Sequence, residues 1–191
     1  LTETRKIAAS RFSEELMSEA KHLGMQNIKF SVVMSQGKMG FDGQDNVEFI
    51  STFNKNQEMQ PISKVASGGE MSRIMLCVKS IVGSKMQMPT IIFDEIDTGI
   101  SGFAADKVAN QLKKVSCNRQ VICVTHLAQI AARADNHLLI EKSTRSGRTF
   151  TDVKALKYDQ RIEEIARIMS GTDITDNTMS SAKELLDRSR N

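Results

Sequence analysis

The chain contains 191 residues, of which 40% are hydrophobic and 26% are charged. This balance is ordinary for a globular protein, and the length suffices for one substantial domain, with or without an appendage. The formal net charge of +3 is too small to indicate nucleic-acid binding by itself. No apolar run approaches the ~20 residues that span a membrane, and the first residues do not form a secretory signal. The sequence therefore predicts a cytoplasmic chain, and its start at Leu1 rather than Met suggests a piece of a longer protein.

Three cysteines, Cys77, Cys117 and Cys123, are odd in number and show no CxxC spacing. Each lies beside apolar residues in a segment that is predicted to be helix or strand. In a reducing compartment, such cysteines are usually free thiols rather than disulfide partners or metal ligands. We therefore expect three buried free thiols.

Residues 1–23 are predicted to form an amphipathic helix. Apolar side chains recur at spacings of four, four and three, and these are Phe12, Leu16, Ala20 and Leu23. Charged residues fill the other face, and Gly24 is suited to end the helix. The pattern fits an ordinary surface helix or the returning end of a coiled-coil arm, and one stripe does not decide between them.

Two strands and a long loop are predicted to follow. Residues 28–34 and 47–53 alternate apolar with polar or smaller side chains, as half-buried strands do. The segment between them, residues 36–46, contains three glycines and two aspartates, which is typical of a turn-rich connection between antiparallel strands. Residues 54–66 are polar and include a proline, so they are predicted to form a loop.

A Ser-Gly-Gly sequence, residues 67–69, precedes a helical apolar face. That face consists of Met71, Ile74, Met75, Val78 and Ile81. Glycines at a helix N-terminus let backbone N–H groups approach a ligand closely, and the helix dipole favours an anion there. The hydroxyl of Ser67 could serve the same anion or could simply cap the helix. Judged from these residues alone, the cap is the more common arrangement.

Two short apolar runs, residues 90–94 and 120–124, are predicted to be buried strands of a parallel sheet, the first buried on both faces. The first run ends in Asp94 and Glu95, and the second is followed by His126. Ligands bind at the carboxyl ends of parallel strands, so we expect these side chains to face one crevice. Adjacent acids are costly to hold together unless a cation or a reacting water uses them. The alternatives are a solvated turn for the acids and a helix cap for His126.

The rest of the sequence is predicted to combine helices with one hairpin. Helices are predicted at residues 103–115, 127–133, 161–169 and 177–188, and strands at residues 138–141 and 149–156. The connection between these strands, residues 142–148, is rich in Lys, Arg, Ser and Gly. Such a basic turn is most often solvent-exposed, and contact with a phosphate backbone is the less common alternative.

Three short motifs occur in the order found in ABC-type ATPase heads. They are Ser67-Gly68-Gly69-Glu70, an apolar strand that ends in Asp94-Glu95, and His126. Each is weak alone, but the three in order on the expected elements form a specific pattern. The longer strings ASGGEMSR (66–73), IFDEIDTGISG (92–102) and VTHL (124–127) resemble the RecN family of bacterial SMC-like ATPases. The likeness spans nearly the whole chain, including its first and last helices.

The resemblance implies the carboxy-terminal lobe of an ABC/SMC-type ATPase head. Its fold class is α/β, with a mainly parallel sheet, flanking helices and a peripheral antiparallel strand pair. Residues 1–24 would be a helix that returns from a coiled-coil arm, and residues 25–191 would form the lobe.

The resemblance also implies a role for each motif residue. The signature loop, which contacts the γ-phosphate of ATP held by the opposite head, would consist of Ser67, Gly68, Gly69 and Glu70. Ser101 stands where many ABC proteins have an aspartate and would belong to the same nucleotide site. Asp94 would orient Mg²⁺ through water, Glu95 would activate the attacking water, and His126 would lie near the γ-phosphate. These roles are mostly positioning and charge neutralisation, as phosphoryl transfer requires.

Two parts of the family pattern are missing from this sequence. No GxxxxGK[ST] motif occurs, and no glutamine ligand of Mg²⁺ is identifiable. In the family both belong to the amino-terminal lobe, on the far side of the coiled coil. The chain is therefore expected to be half of an ATPase head that uses ATP and Mg²⁺ and is inactive alone.

The resemblance implies recombinational repair of DNA double-strand breaks, in the cytoplasm and associated with the nucleoid. The implied partners are the protein's own amino-terminal lobe, a second head in a head-to-head homodimer, DNA ends or single-stranded regions, and a recombinase as a further candidate. The alternative is a catalytically inactive DNA- or protein-binding module derived from such a head. The basic turn near Arg145 and Arg148 favours the alternative slightly, whereas a non-enzyme has no evident reason to place Glu95 after Asp94.

Overall fold

The computed structural model describes residues 1–94, 96–145 and 148–189, apart from the side chains of residues 65 and 145. The chain divides into two compact units, Leu1–Val124 and Thr125–Asn191. Across these described ranges, no helix is both long enough and apolar enough to cross a membrane.

The first unit begins with helix α1, Thr2–His22. The buried members of its predicted apolar stripe are Leu16, Ala20 and Leu23. A Schellman motif ends the helix: the amide of Met25 donates to the carbonyl of Ala20, and the amide of Gly24 donates to that of Lys21. Gly24 has a φ of +88°, a conformation that glycine adopts without the cost of a Cβ. The predicted helix end at Gly24 is therefore confirmed.

Strands β1, Lys29–Gly40, and β2, Gly43–Thr52, form the predicted antiparallel pair. Both strands run further than predicted, because only two residues separate the paired Gly40 and Gly43. The register shifts between Gln36 and Gly40, where residues 37–39 of β1 lie opposite the single residue Gln44 of β2, so β1 takes up two additional residues in a bulge-like irregularity. The prediction of a long turn at residues 36–46 was therefore wrong in its extent.

Helix α1 packs on one face of this hairpin through three aromatic rings. The ring centroid of Phe12 lies 6.0 Å from those of both Phe30 and Phe49, which are themselves 5.6 Å apart. At the start of the helix, Arg5 donates to the carboxylate of Asp45 at 2.9 Å. The helix is therefore attached to the hairpin at both places.

Two short elements lie in the segment that was predicted to be a loop. Strand β3, Gln60–Pro61, pairs antiparallel with the end of β2, and helix α2, Ile62–Val65, follows it. A proline has no N–H to donate, and an edge strand tolerates it for that reason. The prediction of a featureless loop at residues 54–66 was wrong because these elements are too short to produce a periodic pattern.

The rest of the first unit alternates helices and strands. The elements are helix α3, Gly68–Lys85; strand β4, Thr90–Phe93; helix α4, Gly102–Ser116; and strand β5, Gln120–Cys123. Strands β4 and β5 are parallel, with Thr90 opposite Gln120 and Phe93 opposite Cys123. The predicted parallel pair is confirmed.

One face of the β4–β5 pair is covered and the other is open. Ile91 and Phe93 are buried, and Ile91 lies against Gly83 of α3. On the other face, Ile92 is 57% exposed, Ile122 46% and Val124 48%. The prediction that residues 90–94 are buried on both faces was therefore wrong, because only one layer of helices covers the sheet in the described part of the chain.

The three cysteines differ in exposure. Cys77 is buried, Cys123 is partly buried and Cys117 is exposed, and all three are free thiols. Cys117 follows the last residue of α4 and therefore lies outside the buried stripe of that helix. The prediction of free thiols is confirmed, whereas the predicted burial of Cys117 was wrong.

The described residues of the second unit form three helices and a hairpin. Its elements are helix α5, Ala128–Ala132; strands β6, Leu138–Arg145, and β7, Arg148–Ala155; and helices α6, Tyr158–Ser170, and α7, Asp176–Arg188. Its buried core consists of Ala128, Ala132, Ile162, Ile165, Ala166, Ala182 and Leu186. The hydroxyl of Tyr158 donates to the carboxylate of Asp187 at 2.6 Å, which links α6 to α7.

The β6–β7 hairpin extends into the segment that was predicted to be a basic turn. The strands pair antiparallel as far as the backbone of Arg145 and Arg148, so residues 142–148 are mostly strand. Among the described side chains of this segment, Lys142, Thr144 and Arg148 are exposed and Ser143 is partly buried, so the predicted solvent exposure holds for most of them. The turn itself, residues 146–147, lies outside the described residues.

Candidate functional site

Ser67 is the N-cap of α3, as predicted. Its hydroxyl oxygen accepts a hydrogen bond from the amide of Glu70 at 3.4 Å, and the Glu70 carboxylate accepts one from the amide of Ser67 at 3.0 Å. This reciprocal capping box satisfies two amides at the helix start. The Ser67 hydroxyl keeps its own proton to donate, so capping the helix and binding an anion are compatible.

The start of α3 presents backbone to solvent. Ser67 and Gly68 are exposed, whereas Gly69 is buried. The first amides of a helix have no partner within the helix, and they carry the positive end of its dipole. The exposed first turn of α3 is therefore suited to an anion, with the Ser67 hydroxyl beside it.

Gly69 packs directly on the turn that follows β4. A Cβ on Gly69 would lie 2.5 Å from the carbonyl oxygen of Gly99. A Cβ on Gly99, whose φ is +68°, would lie 3.0 Å from the amide nitrogen of Gly69. The structure therefore brings the Ser-Gly-Gly loop and the turn after β4 into backbone contact.

Acidic residues surround the carboxyl end of β4. Asp94 directly follows the strand and is exposed, whereas Asp97 is buried. Burial raises the pKa of the Cys123 thiol on β5 to about 12, and the charges of Asp97 and Asp94 contribute to this rise. Both carboxylates therefore lie close to the strand ends, and the exposed Asp94 is accessible to a cation. Glu95, the predicted catalytic residue, lies outside the described residues.

The described acids at the end of β4 do not form a complete metal site by themselves. Within the described ranges, no group of three or more His, Cys, Asp or Glu side chains is arranged to hold a metal ion. A divalent cation at Asp94 would therefore need water, phosphate oxygens or groups from elsewhere to complete its coordination.

Ser101 is the N-cap of α4, and its side chain makes no capping hydrogen bond. It is exposed, so its hydroxyl faces solvent near the turn that contains Gly99. The structure therefore leaves Ser101 accessible to a ligand, although its predicted role at a nucleotide site stays a prediction.

His126 belongs to the second unit and is exposed. The helix that follows it, α5, begins after Leu127, whose amide donates to the hydroxyl of Thr125 at 3.1 Å. Thr125 thus accepts one hydrogen bond in the turn that immediately precedes this helix. That His126 and Asp94 face one crevice stays a prediction.

Sequence reasoning assigned no role to Arg73, which lies one turn into α3. Its Nε donates to the carbonyl of Gly69 at 3.0 Å, and its Nη1 donates to the carbonyl of Leu23 at 3.2 Å. The i, i+4 spacing from Gly69 was a signal for the first contact. The second contact joins residues that are 50 positions apart, and the sequence carried no signal for it.

Comparison with solved structures defines the class of fold. The chain aligns with a structure described under ATP-driven dimerization and DNA-stimulated activation of SMC ATPases, with a TM-score of 0.63 and 20% identity over 90% of this chain and 98% of that one. It also aligns with the Smc head domain with a coiled coil and joint derived from Pyrococcus yayanosii, with a TM-score of 0.66 and 20% identity over 87% of this chain and 30% of that one. The chain therefore has the fold of an SMC-type head domain, as predicted.

Sequence comparison identifies the particular relatives. The chain is 42% identical to the DNA repair protein RecN of Halalkalibacterium halodurans over 98% of its length, and 40% identical to RecN of Bacillus subtilis over 97%. RecN of Rickettsia conorii is 44% identical over 97% of the chain. The chain covers 34%, 35% and 34% of these proteins, or about a third of the length of the curated relatives it matches. No protein-family model matches. The predicted resemblance to RecN is confirmed.

Proposed function

We propose that this chain is the carboxy-terminal half of an ATP-hydrolysing SMC-like head that acts in the repair of DNA double-strand breaks. The observation that carries the proposal is the backbone contact between Gly69 and Gly99. It joins an exposed helix N-terminus, suited to phosphate, to the turn that follows the acids of β4. Phosphoryl transfer from ATP requires groups that bind phosphate and a group that binds a cation, and in a head-to-head dimer the helix start would serve the ATP of the opposing head.

Each residue then has a task in the reaction of ATP with water to give ADP and phosphate. Ser67 and Gly68 would donate to the γ-phosphate of ATP bound by the opposing head, and Ser101 would lie at the edge of the same site. Asp94 would hold Mg²⁺ through water, and the ion would neutralise charge on the phosphate oxygens. Glu95 would accept a proton from the attacking water, and His126 would donate a hydrogen bond to the γ-phosphate.

The open face of the β4–β5 pair supports a half-head. Parallel sheets occur almost only with both faces covered, yet Ile92, Ile122 and Val124 form an exposed apolar stripe. The sheet has two strands among the described residues, so each strand also keeps one open edge. A further lobe of the same protein, carrying the phosphate cradle, would cover this face, and the relatives are about three times as long as the chain.

The partners follow from the same proposal. The protein would form a head-to-head homodimer around ATP, and it would act on DNA ends or single-stranded regions with a recombinase as a further partner. The relatives are described as DNA repair proteins, and a structural neighbour is described under ATP-driven dimerization and DNA-stimulated activation. We infer a cytoplasmic, nucleoid-associated site of action.

Reconstitution tests the proposal. The chain alone should not hydrolyse ATP, whereas the chain mixed with a separately produced amino-terminal lobe of the parent protein should do so, and Glu95→Gln should abolish turnover. Ile92→Ser should weaken assembly of the two lobes. Ile7→Ser is the matched control, because Ile7 on α1 is also 57% exposed. Turnover by the chain alone that survives Glu95→Gln would refute the half-head.

A second candidate is a non-catalytic DNA-binding module, and the exposed β6–β7 hairpin favours it. Arg148 and Lys142 are exposed on this hairpin, where phosphates could reach them. Binding through phosphate contacts weakens as salt rises. Salt-dependent DNA binding by the chain alone that is lost in Arg145→Ala/Arg148→Ala, together with no turnover after reconstitution, would favour this candidate.

A further inference from the structure

We propose that Arg73 is a positioning residue that couples the end of α1 to the Ser67–Gly69 loop, and so adjusts the loop's interaction with nucleotide phosphate. The inference rests on the proposed function, because it concerns how the proposed phosphate-binding loop is held. It assigns to α1 an influence on a site that the helix itself does not form.

The coupling is built from two hydrogen bonds made by one guanidinium group. Nε of Arg73 donates to Gly69 in the first turn of α3, and Nη1 donates to Leu23, the C-cap of α1. The carbonyls at the end of a helix lack partners within it and carry the negative end of its dipole. A cation that binds such a carbonyl makes a charge-assisted hydrogen bond, which is shorter and stronger than a neutral one.

The carbonyl of Leu23 is held in a defined position. The Schellman motif at Gly24 fixes the backbone immediately after it, and Nη1 of Arg73 lies 3.8 Å from where a Cβ on Gly24 would be. A shift in the end of α1 would therefore displace the acceptor that Arg73 holds.

The backbone at Gly69, the other end of the coupling, has little freedom to move. Gly69 contacts the backbone of Gly99 with no room for a Cβ, so the loop cannot move toward that turn. A pull through Arg73 on the Gly69 carbonyl would instead change the orientation of the first turn of α3. That turn carries the amides proposed to face the phosphate.

Other contacts of α1 lead elsewhere in the unit. Gln111 of α4 donates to Glu19 at 2.8 Å, and Lys85, at the far end of α3, lies 3.9 Å from Glu15. These contacts attach the helix to the unit without reaching the loop. They therefore supply controls that loosen α1 while leaving the bridge through Arg73 intact.

Hydrogen–deuterium exchange on the chain alone tests the coupling without any ATPase activity. Gly24→Ala strains the end of α1 because of its positive φ, and it should speed exchange of the amides of residues 70 and 71, which donate to Ser67, by about tenfold, within the usual range for coupled sites. In an Arg73→Gln background, Gly24→Ala should produce no further change there. Gly24→Asn, which tolerates a positive φ better, serves if Gly24→Ala does not fold.

The controls decide whether transmission requires Arg73. In a Gln111→Ala background, Gly24→Ala should still speed exchange at residues 70 and 71. An equal effect of Gly24→Ala with and without Arg73, or no effect at residues 70 and 71 in the unaltered background, would overturn the inference.

The reconstituted head supplies a second readout. Arg73→Gln should raise the KM for ATP by about tenfold with a smaller change in kcat, and Arg73→Lys should recover part of the loss, because lysine keeps the charge but not the two-pronged geometry. An unchanged KM in Arg73→Gln would contradict the inference. Absence of turnover in the unaltered head would refute the proposed function instead, and the exchange experiment would still test the coupling.

Discussion

Gly69 and Gly99 meet through their backbones, and neither position has room for a Cβ. The closest approaches would be 2.5 Å from the Gly69 side and 3.0 Å from the Gly99 side. The first distance, to the carbonyl oxygen of Gly99, is shorter than real Cβ contacts, and the second, to the amide nitrogen of Gly69, is tighter than most of them, so a side chain at either position would push the two segments apart. The helix start and the turn after β4 therefore depend on a pair of glycines.

Gly69→Ala should destabilise the chain, whereas Gly68→Ala should not. The added methyl at residue 69 meets a carbonyl, and overpacking of this kind costs about 1–3 kcal/mol. The nearest atom to a Cβ at residue 68 is the methyl group of Thr98, at 3.9 Å, so alanine fits there. Urea unfolding followed by far-UV circular dichroism measures both variants, and equal stabilities would contradict the packing.

Arg161→Met should weaken the second unit strongly. Arg161 is only 6% exposed, and its Nη2 donates to the carbonyls of Ala131, Ala132 and Ala134 at 3.4, 3.2 and 2.8 Å. Removing a buried charged donor and leaving its acceptors unsatisfied costs about 2–4 kcal/mol. Arg188→Met is the control, because Arg188 pairs with Glu184 on the surface and such pairs contribute about 0–1 kcal/mol. Similar losses of stability in the two variants would count against stabilisation by the hydrogen bonds from Arg161 to these three carbonyls.

Stability should fall as pH is lowered, and His137 should account for part of the fall. Burial lowers the pKa of His137 below its usual value, and the charge of Arg161 adds to this effect. The unfolded chain then binds a proton at higher pH than the folded chain, so stability decreases as pH falls below about 6.5.

The experiment compares urea unfolding at pH 7.5 and pH 5.5. His137→Gln should show a smaller decrease than the unaltered chain, whereas His22→Gln, at an exposed position, should show the same decrease. Identical pH dependence in His137→Gln would rule out this contribution.

The three thiols should react at very different rates. Burial is the main cause that raises the pKa of both Cys77 and Cys123 to about 12, and thiolate is the reactive form. Cys117 is exposed and should react first with a thiol reagent at pH 8. Cys117→Ser should therefore remove the fast phase. A fast phase that persists in that variant would disprove the burial of the other two thiols.

Local signals in the sequence predicted much of the first unit correctly. The stripe of α1, the glycine after it and the Ser-Gly-Gly helix start each depend on neighbours within about one turn of helix. The parallel pair of strands was predicted because its apolar runs are short and separated by a helical pattern. These features depend on the local sequence and not on contacts with distant segments.

The errors and omissions concern contacts between distant segments. The Gly69–Gly99 contact and the bond from Arg73 to Leu23 join parts of the chain that spacing does not relate. Ile92 is an apolar, β-branched residue of the kind found in buried strands, yet its exposure depends on what covers the open face of the sheet. The short β3 and α2 elements owe their existence to pairing with β2 rather than to a pattern of their own.

The hydrogen bond between Tyr158 and Asp187 also allows unfolding of the two units to be distinguished spectroscopically in solution. The chain has no tryptophan and a single tyrosine, so fluorescence excited at wavelengths that phenylalanine does not absorb originates wholly from Tyr158 on α6. A carboxylate that accepts a hydrogen bond from the phenol quenches this emission, so melting of the α6–α7 pair should increase the tyrosine fluorescence. The near-ultraviolet dichroism of the Phe12, Phe30 and Phe49 cluster would report the first unit, so the order in which the units melt can be recorded without any added label.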